Sequence, residues 1–375
     1  MSLNSTSYPE EEIYYGLALA LIPGIGHIYA KTLLSYNGSF RQIFHSKGSQ
    51  LLKTPGMGKE LIRRILNFTD FDKVEEELKY IQDHQISPLF YNHPDFPQRL
   101  LYFNDSPFLI FRKGNAGLNS TRTLGIVGTR SPSQAGVRWV NDLISDLKDS
   151  GIAIISGFAY GIDITAHRAS IREGLETVGV LAGGLENIYP ALHRKYIDDI
   201  CRHGSIITES FSHVLPDKQR FPMRNRIIAA LSDGLIVVES GAKGGSIITA
   251  EFAFSYNKNL MAVPGKPCDL MSKGCNILIK TQKASMVEDS SDVLREMDWH
   301  LGNQSDKYAI QTEMFNSLSD KEQSLITFLI EKGEVSVDEI IKNLDIRNSE
   351  LASMILSLTL DGLIVQLPGS RLAIG

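Results

Sequence analysis

The chain has 375 residues, 43% hydrophobic and 22% charged, with a formal net charge of −5. That length predicts two or three domains at roughly 150 residues each, and the balanced composition excludes a disordered chain or a polycation. Nucleic acid could therefore be bound only through a local basic surface. Three cysteines, Cys201, Cys268 and Cys275, are too few and too poorly spaced for a disulfide framework or a zinc site. They are expected as free thiols of a reducing compartment.

The segment Met1 to Glu12 is polar and acidic, the wrong chemistry for a signal or transit peptide. The apolar run Leu17 to Ile22 falls far short of the ~20 residues of a membrane span, so a cytoplasmic protein with no membrane partner is expected. Residues 8–86 read as helical and carry two similar turns, Leu21-Ile22-Pro23-Gly24-Ile25-Gly26 and Lys53-Thr54-Pro55-Gly56-Met57-Gly58. Each precedes a run with helical spacing, Ile28 to Leu34 and Leu61 to Leu66. The pair fits a small bundle with tight turns or, alternatively, a helix-hairpin-helix arrangement, whose second helix starts can hold phosphate. Cations (Lys53, Lys59, Arg63 and Arg64) flank only the second copy. Four prolines between residues 87 and 118 mark a connector with a strand pair.

Residues 122–300 alternate strand and helix patterns, which predicts a parallel sheet with right-handed crossovers. Candidate strands are Leu124–Val127, Ala153–Ile155, Val178–Leu181, Ser205–Thr208, Leu235–Val238 and Leu260–Val263. Five of their carboxyl ends run into glycine-bearing loops, starting at Gly128, Ser156, Ala182, Gly241 and Pro264. Ligands of such sheets bind beyond those ends, and five glycine loops on one rim imply a long or branched anion. Lys218, Arg220, Arg224 and Arg226 add four cations against one acid, Asp217, within residues 216–226. Ile227, Ile228 and Leu231 should pin the following helix to a core and display the two arginines that flank Asn225 at its amino end. Arg130, followed by Ser131-Pro132-Ser133 as the start of a helix, reads as a second phosphate contact.

The tail, residues 314–375, has helix patterns at Asp320–Glu331, Val337–Asn343 and Asn348–Asp361. Strand patterns at Leu363–Leu367 and Arg371–Ile374 complete a winged helix. Residues 316–375 hold five basic and nine acidic side chains, and the candidate recognition helix Asn348–Asp361 has no Lys or Arg. A protein-interaction module is expected rather than a DNA reader. The domains so read are 1–86 helical, 87–300 connector plus α/β, 301–313 linker and 314–375 winged helix.

No phosphate-loop fingerprint G-x-x-x-x-G-K-[ST] and no G-x-G-x-x-G after the first strand occurs. Ser156, Asp163 and His167 lack a nucleophile elbow; Asp163 is read as a helix cap and His167 as a buried, hydrogen-bonded histidine. No catalytic residue, metal ligand set or cofactor is expected. Together Val127-Gly128-Thr129-Arg130, Ser156 to Asp163 with His167, Tyr189-Pro190, Phe221 to Ala229, Gly245 to Ala250 and Val263-Pro264-Gly265 resemble the motif series of the DprA/Smf family, DNA-processing protein A. Their order and spacing match over the whole α/β region, and both flanking regions suit the family.

The resemblance implies an α/β fold, an extended Rossmann-like domain flanked by an N-terminal SAM-like helical domain and a C-terminal winged helix. It further implies binding of incoming single-stranded DNA in natural transformation, protection of that strand, loading of the RecA recombinase, no catalytic turnover, and a homodimer through the Rossmann-like domain. Site residues carried over are Gly128, Thr129, Arg130, Ser156, Gly157, Arg194, Lys195, Arg224, Asn225, Arg226, Gly245, Ser246 and Thr249. Phe158, Tyr160 and Phe221 are candidates to face bases. Two departures stand out: Gly244 replaces the family's usual serine, and His193 its usual asparagine. The competing expectation is a phosphoribohydrolase of the lysine-decarboxylase-like type, with Glu239 and Glu251 as acid and base. Its phosphate loop would be Ser240 to Ser246, a poor copy.

Overall fold

A computed structural model describes residues 9–114, 118–299, 318–333, 335–344, 346–360, 363–367 and 371–374. The expected linker, 301–313, lies outside these residues. The chain divides into two compact units, residues 1–299 and 300–375.

The first unit opens with six helices, α1 (Glu10–Leu21), α2 (His27–Asn37), α3 (Phe40–His45), α4 (Gly48–Leu51), α5 (Lys59–Leu66) and α6 (Phe71–Asp83). Gly24 and Gly56, the turn glycines of the repeated pattern, both take positive φ, 89° and 76°. Only glycine does so without strain. The two turns therefore have the same backbone reason. At the second turn the flanking arginines are engaged within the protein: Arg63 and Arg64 both bond Glu60, and Arg64 also donates to Pro23 O at 2.8 Å.

Strands β1 (Ser87–Phe90) and β2 (Leu109–Gly114) bracket the short helix α7 (Gln98–Leu101). They do more than connect. β1 pairs antiparallel with β2, and β2 antiparallel with β6 (Gly204–Thr208), so the hairpin extends the main sheet. Phe90, Phe108, Leu109 and Phe111 turn toward the helices, and Phe40 meets Phe90 with ring centroids 4.6 Å apart. One apolar core thus fastens the helical segment to the sheet.

The rest of that sheet is parallel: β3 (Arg122–Gly128), β4 (Ile152–Gly157), β5 (Thr177–Val180), β6, β7 (Gly234–Val238), β8 (Asn259–Ala262) and β9 (Ser285–Met286). The order is β1-β2-β6-β5-β4-β3-β7-β8-β9. Crossovers use α8 (Gln134–Asp146), α9 (Ile162–Glu173), α10 (Ile197–His203) after a 3-10 turn at Ala191–Tyr196, α11 (Arg220–Leu231), α12 (Gly245–Ser255) and α13 (Lys273–Lys280). Helix α14 (Ser290–Glu296) ends the unit. From β3 the chain proceeds one way to β4, β5 and β6, then returns to β3's other side as β7. The order reverses between β3 and β7, where open α/β sheets leave a crevice for ligands.

In the second unit, α15 (Asp320–Lys332), β10 (Val335–Ser336), α16 (Val337–Leu344), α17 (Asn348–Leu360), β11 (Ile364–Leu367) and β12 (Arg371–Ile374) make a winged helix with strand order β10-β12-β11. Leu325, Leu329, Ile340, Leu351, Leu358 and Ile364 form its own core. A reciprocal cap between Ser319 and Glu322 starts α15. Among the described residues no helix is long and apolar enough to cross a membrane.

Candidate nucleic-acid interface

The crevice between β3 and β7 opens into a cavity of about 440 Å³. The end of β3 supplies Gly128, Thr129 and Arg130; the loop after β7 supplies Ser240, Gly241, Lys243 and Gly244; α12 supplies Gly245, Ser246 and Thr249; and α11 supplies Arg224 and Asn225. Gly128 is needed where the strands meet, since a Cβ there would lie 2.0 Å from Val238 O. The first turn of α12 faces the cavity with its cap at Gly244, so unpaired backbone N–H groups and the positive end of the helix dipole favour an anion there.

Three cations surround this helix start. Arg130 is exposed and lies over the Phe221 ring, 5.3 Å from its centroid, and Tyr189 meets Phe221 edge-on at 5.7 Å. Lys243 is exposed on the loop before α12. Arg224 is different from the displayed arginine that the sequence suggests: it is 5% exposed and forms the cavity floor. Helix α11 starts at Arg220, four residues before Arg224, so that side chain has already turned inward. Its guanidinium bonds Val180 O, and its Nε donates to Asn225 Oδ1 at 3.2 Å. Asn225 in turn donates to Gly245 O at 3.3 Å, tying the arginine to the start of α12.

Asp163 is the counter-charge. A Cβ on Gly157 would lie 2.3 Å from Asp163 Oδ2 and 2.8 Å from both Arg224 Nη atoms, so glycine lets the two side chains close over it. Burial pushes the Asp163 carboxyl above its usual range, opposed by Arg224. Burial lowers Arg224 to about 10, with Asp163 opposing that shift and Arg130 adding to it, so it stays charged at neutral pH. Gly161 caps α9, so Asp163 sits in the helix's first turn rather than at its cap. His167 fits the expected buried histidine: it contacts Thr177 Oγ1 and Gly157 O, each at 2.7 Å.

Several expected contacts lie elsewhere. Ser156 is fully buried and donates to Ile126 O at 2.6 Å, beneath the site rather than in it. Gly157 lines the wall behind Arg224 and Asp163 rather than the cavity. Arg226, 5% exposed, points away from the cavity to Glu209, with His27 of α2 at 3.3 Å. Although burial opposes it, the His27 and Arg226 partners hold the Glu209 carboxyl below its usual range. Arg194 and Lys195 sit outside the cavity on the turn after β5, on the same rim of the sheet; Arg194 donates to Glu186 O at 2.7 Å and Lys195 lies 5.0 Å from the Tyr196 ring centroid. Phe158 is buried, which removes it as a face for bases, while Tyr160 and Tyr189 are half exposed.

The start of α8 is not an open anion site beside Arg130 either. Glu239, at the end of β7, already accepts from Ser133 N at 2.8 Å and from the Ser133 hydroxyl. Glu251 pairs with Lys283 at 2.7 Å. Neither glutamate lines the cavity, so the acid–base pair of the hydrolase expectation is not assembled there. Among the described residues no group of three or more His, Cys, Asp or Glu converges as a metal site. Sequence reading missed Met271 as a cavity residue and Asp163 as the partner of Arg224, and it placed Ser240 and Lys243 only in a glycine loop at a strand end, not among the site residues.

The family model described as DNA recombination-mediator protein A matches residues 87–298, and the DprA winged helix domain model matches residues 316–370. Protein Smf of Synechocystis sp. is 32% identical over 275 residues, covering 71% of this chain and 68% of that protein. DNA processing protein DprA of Bacillus subtilis is 36% identical over 228 residues, covering 60% of this chain and 76% of that protein. Among solved structures, DNA processing protein A from Streptococcus pneumoniae aligns with a TM-score of 0.66 at 29% identity, covering 78% of this chain and all of that one. DNA processing protein A from Helicobacter pylori, solved for its single-stranded DNA binding mode, aligns with a TM-score of 0.53 at 28% identity, covering 58% of this chain and 98% of that one.

Proposed function

The chain belongs to the DNA recombination-mediator protein A (DprA/Smf) family, and from that premise we propose that its β3–β7 cavity binds single-stranded DNA during natural transformation. The observation that carries this reading is the convergence of Arg130, Lys243 and Arg224 on the first turn of α12. Phosphate suits that site because helix N–H groups and arginine forks both address its oxygens. Phe221, Tyr189 and Tyr160 flank the site with aromatic faces on which bases of any sequence stack, and Arg194 and Lys195 extend the cationic rim. Gly128, Thr129, Asn225, Gly245, Ser246 and Thr249 shape and line the pocket; Arg226, Ser156 and Gly157 support it from behind.

The strand is held, not cut. Among the described residues Asp163 is the one carboxylate on the cavity lining, and it is buried against Arg224. The bound strand would be shielded from nucleases and passed to the RecA recombinase in the cytoplasm, with two copies of the chain joined through the α/β unit. Fluorescence anisotropy with labelled single strands, duplexes and mononucleotides across a salt series tests the reading. Preference for the single strand that weakens as salt rises is expected, because phosphate contacts release counterions. Mononucleotide binding without strand binding would reject it.

A further inference from the structure

Gly244 has no backbone reason to be glycine. Its φ of −71° and ψ of 156° are open to any residue. What a side chain there would meet first is Ser240: a Cβ on Gly244 would lie 2.5 Å from Ser240 Oγ, with Gly241 O next at 3.3 Å. Ser240 is 1% exposed at the cavity wall and is held from both sides. Its Oγ accepts from the Ser246 hydroxyl at 2.7 Å and donates to Gly241 O at 3.1 Å. Ser246 stands in the first turn of α12 and lines the cavity.

A hydroxyl carries one proton and two acceptor positions, so a pair of serines can donate in either direction but not both. In the arrangement where Ser246 donates, its proton is directed to Ser240 and away from the cavity. A phosphate oxygen at the start of α12 is served better by that proton than by another lone pair. Reversal needs a neighbour that can give a proton to Ser246 Oγ in return, and Ser240 can do so by releasing Gly241 O.

We propose that Ser240 is a positioning residue for the anionic ligand: its hydroxyl turns to donate to Ser246, which frees the Ser246 proton for a phosphate oxygen, and residue 244 is glycine because Ser240 occupies the space of its side chain. This inference rests on the reading of the cavity as a strand-binding site. It adds a residue that acts on the strand through Ser246, and it explains the departure at 244 as a steric consequence of Ser240. A methyl group at 244 should displace the Ser240 hydroxyl. A serine at 244 should replace it once Ser240 is removed, since the Gly244 Cβ position lies 3.5 Å from Ser246 Oγ.

The test is a mutant cycle on the full chain, reading single-strand affinity by anisotropy and folding by thermal melting. S240A is expected to weaken affinity about five-fold, the effect of one lost neutral hydrogen bond, with an unchanged salt dependence. G244A is expected to weaken it by a similar factor, and S240A/G244A by no more than either single change. S240A/G244S is expected to recover affinity to within about two-fold of the wild type, a rescue that a merely structural role for Ser240 would not produce. Should G244A fail to fold, S240A and S240A/G244S decide the matter, because neither sets a side chain at 244 against the Ser240 hydroxyl. Wild-type affinity in S240A, additive losses in the cycle, or no recovery in S240A/G244S would overturn the inference while leaving strand binding in place. A wild-type chain that does not bind the strand would overturn the functional reading and this inference with it.

Discussion

Arg130 and Arg224 carry the same charge into one cavity, yet their surroundings assign them different failures. Arg130 is exposed and leans on Phe221, so Arg130→Ala should leave the melting temperature nearly unchanged. It should weaken strand binding about ten-fold and lower the salt slope by about 0.7, the share of one phosphate contact on a single strand. Arg224 is buried with Asp163, so Arg224→Ala removes the charge that offsets a buried carboxylate and should cost about 3 kcal/mol of stability as well as affinity. Denaturant midpoints beside anisotropy curves separate the two variants. Equal stability losses would show that the burial of Arg224 has no energetic consequence. His167 adds a pH signature. Burial is the main reason its pKa falls from 6.5 to about 4, so the folded state resists protonation that the unfolded chain accepts. Its contribution is fully present above about pH 6.5 and is lost as pH falls toward about 4, roughly 3 kcal/mol in all. The stability gap between wild type and His167→Gln should therefore narrow over that interval. A gap that stays constant would place His167's protonation outside the folding equilibrium.

At the scale of the element, the first turn of α12 offers the sharpest separation of binding from folding. A Cβ on Gly245 would meet nothing within 4 Å, so Gly245→Ala should fold as well as the wild type or slightly better. The methyl would stand in front of the helix N–H groups, and strand affinity should drop by about ten-fold if phosphate sits there. Unchanged affinity would move the phosphate away from α12. The element pattern explains what could be read before any coordinates. Parallel strands are apolar on both faces, and five of these six run into glycine-bearing loops, which is why β3 to β8 stand within a few residues of their sequence positions. The edge hairpin was harder. Pro88 and the short runs of β1 and β2 look like a connector, and only the pairing of β2 with β6 reveals them as part of the sheet. Helix α11 misled for a related reason. An arginine is counted as exposed by default, and the acids that permit Arg224 and Arg226 to be buried, Asp163 and Glu209, belong to other elements.

For the molecule as a whole, each compact unit has its own core, and every described residue that lines the cavity lies in the first. Residues 1–299 alone should melt cooperatively and bind the single strand within about two-fold of the full chain, since removing a separate unit leaves the cavity's residues in place. A larger loss would assign the acidic winged helix a share in strand binding that its charge argues against. Within the first unit, α11 has a consequence of its own. Arg224 seats one side of this helix at the cavity, and two residues on, Arg226 seats the other against Glu209 and His27 at the start of α2. One rod thus carries a socket on either side. If α11 shifts when a strand settles, the pairing at the α2 end must shift with it, and a substitution that alters that pairing must alter the hold on DNA.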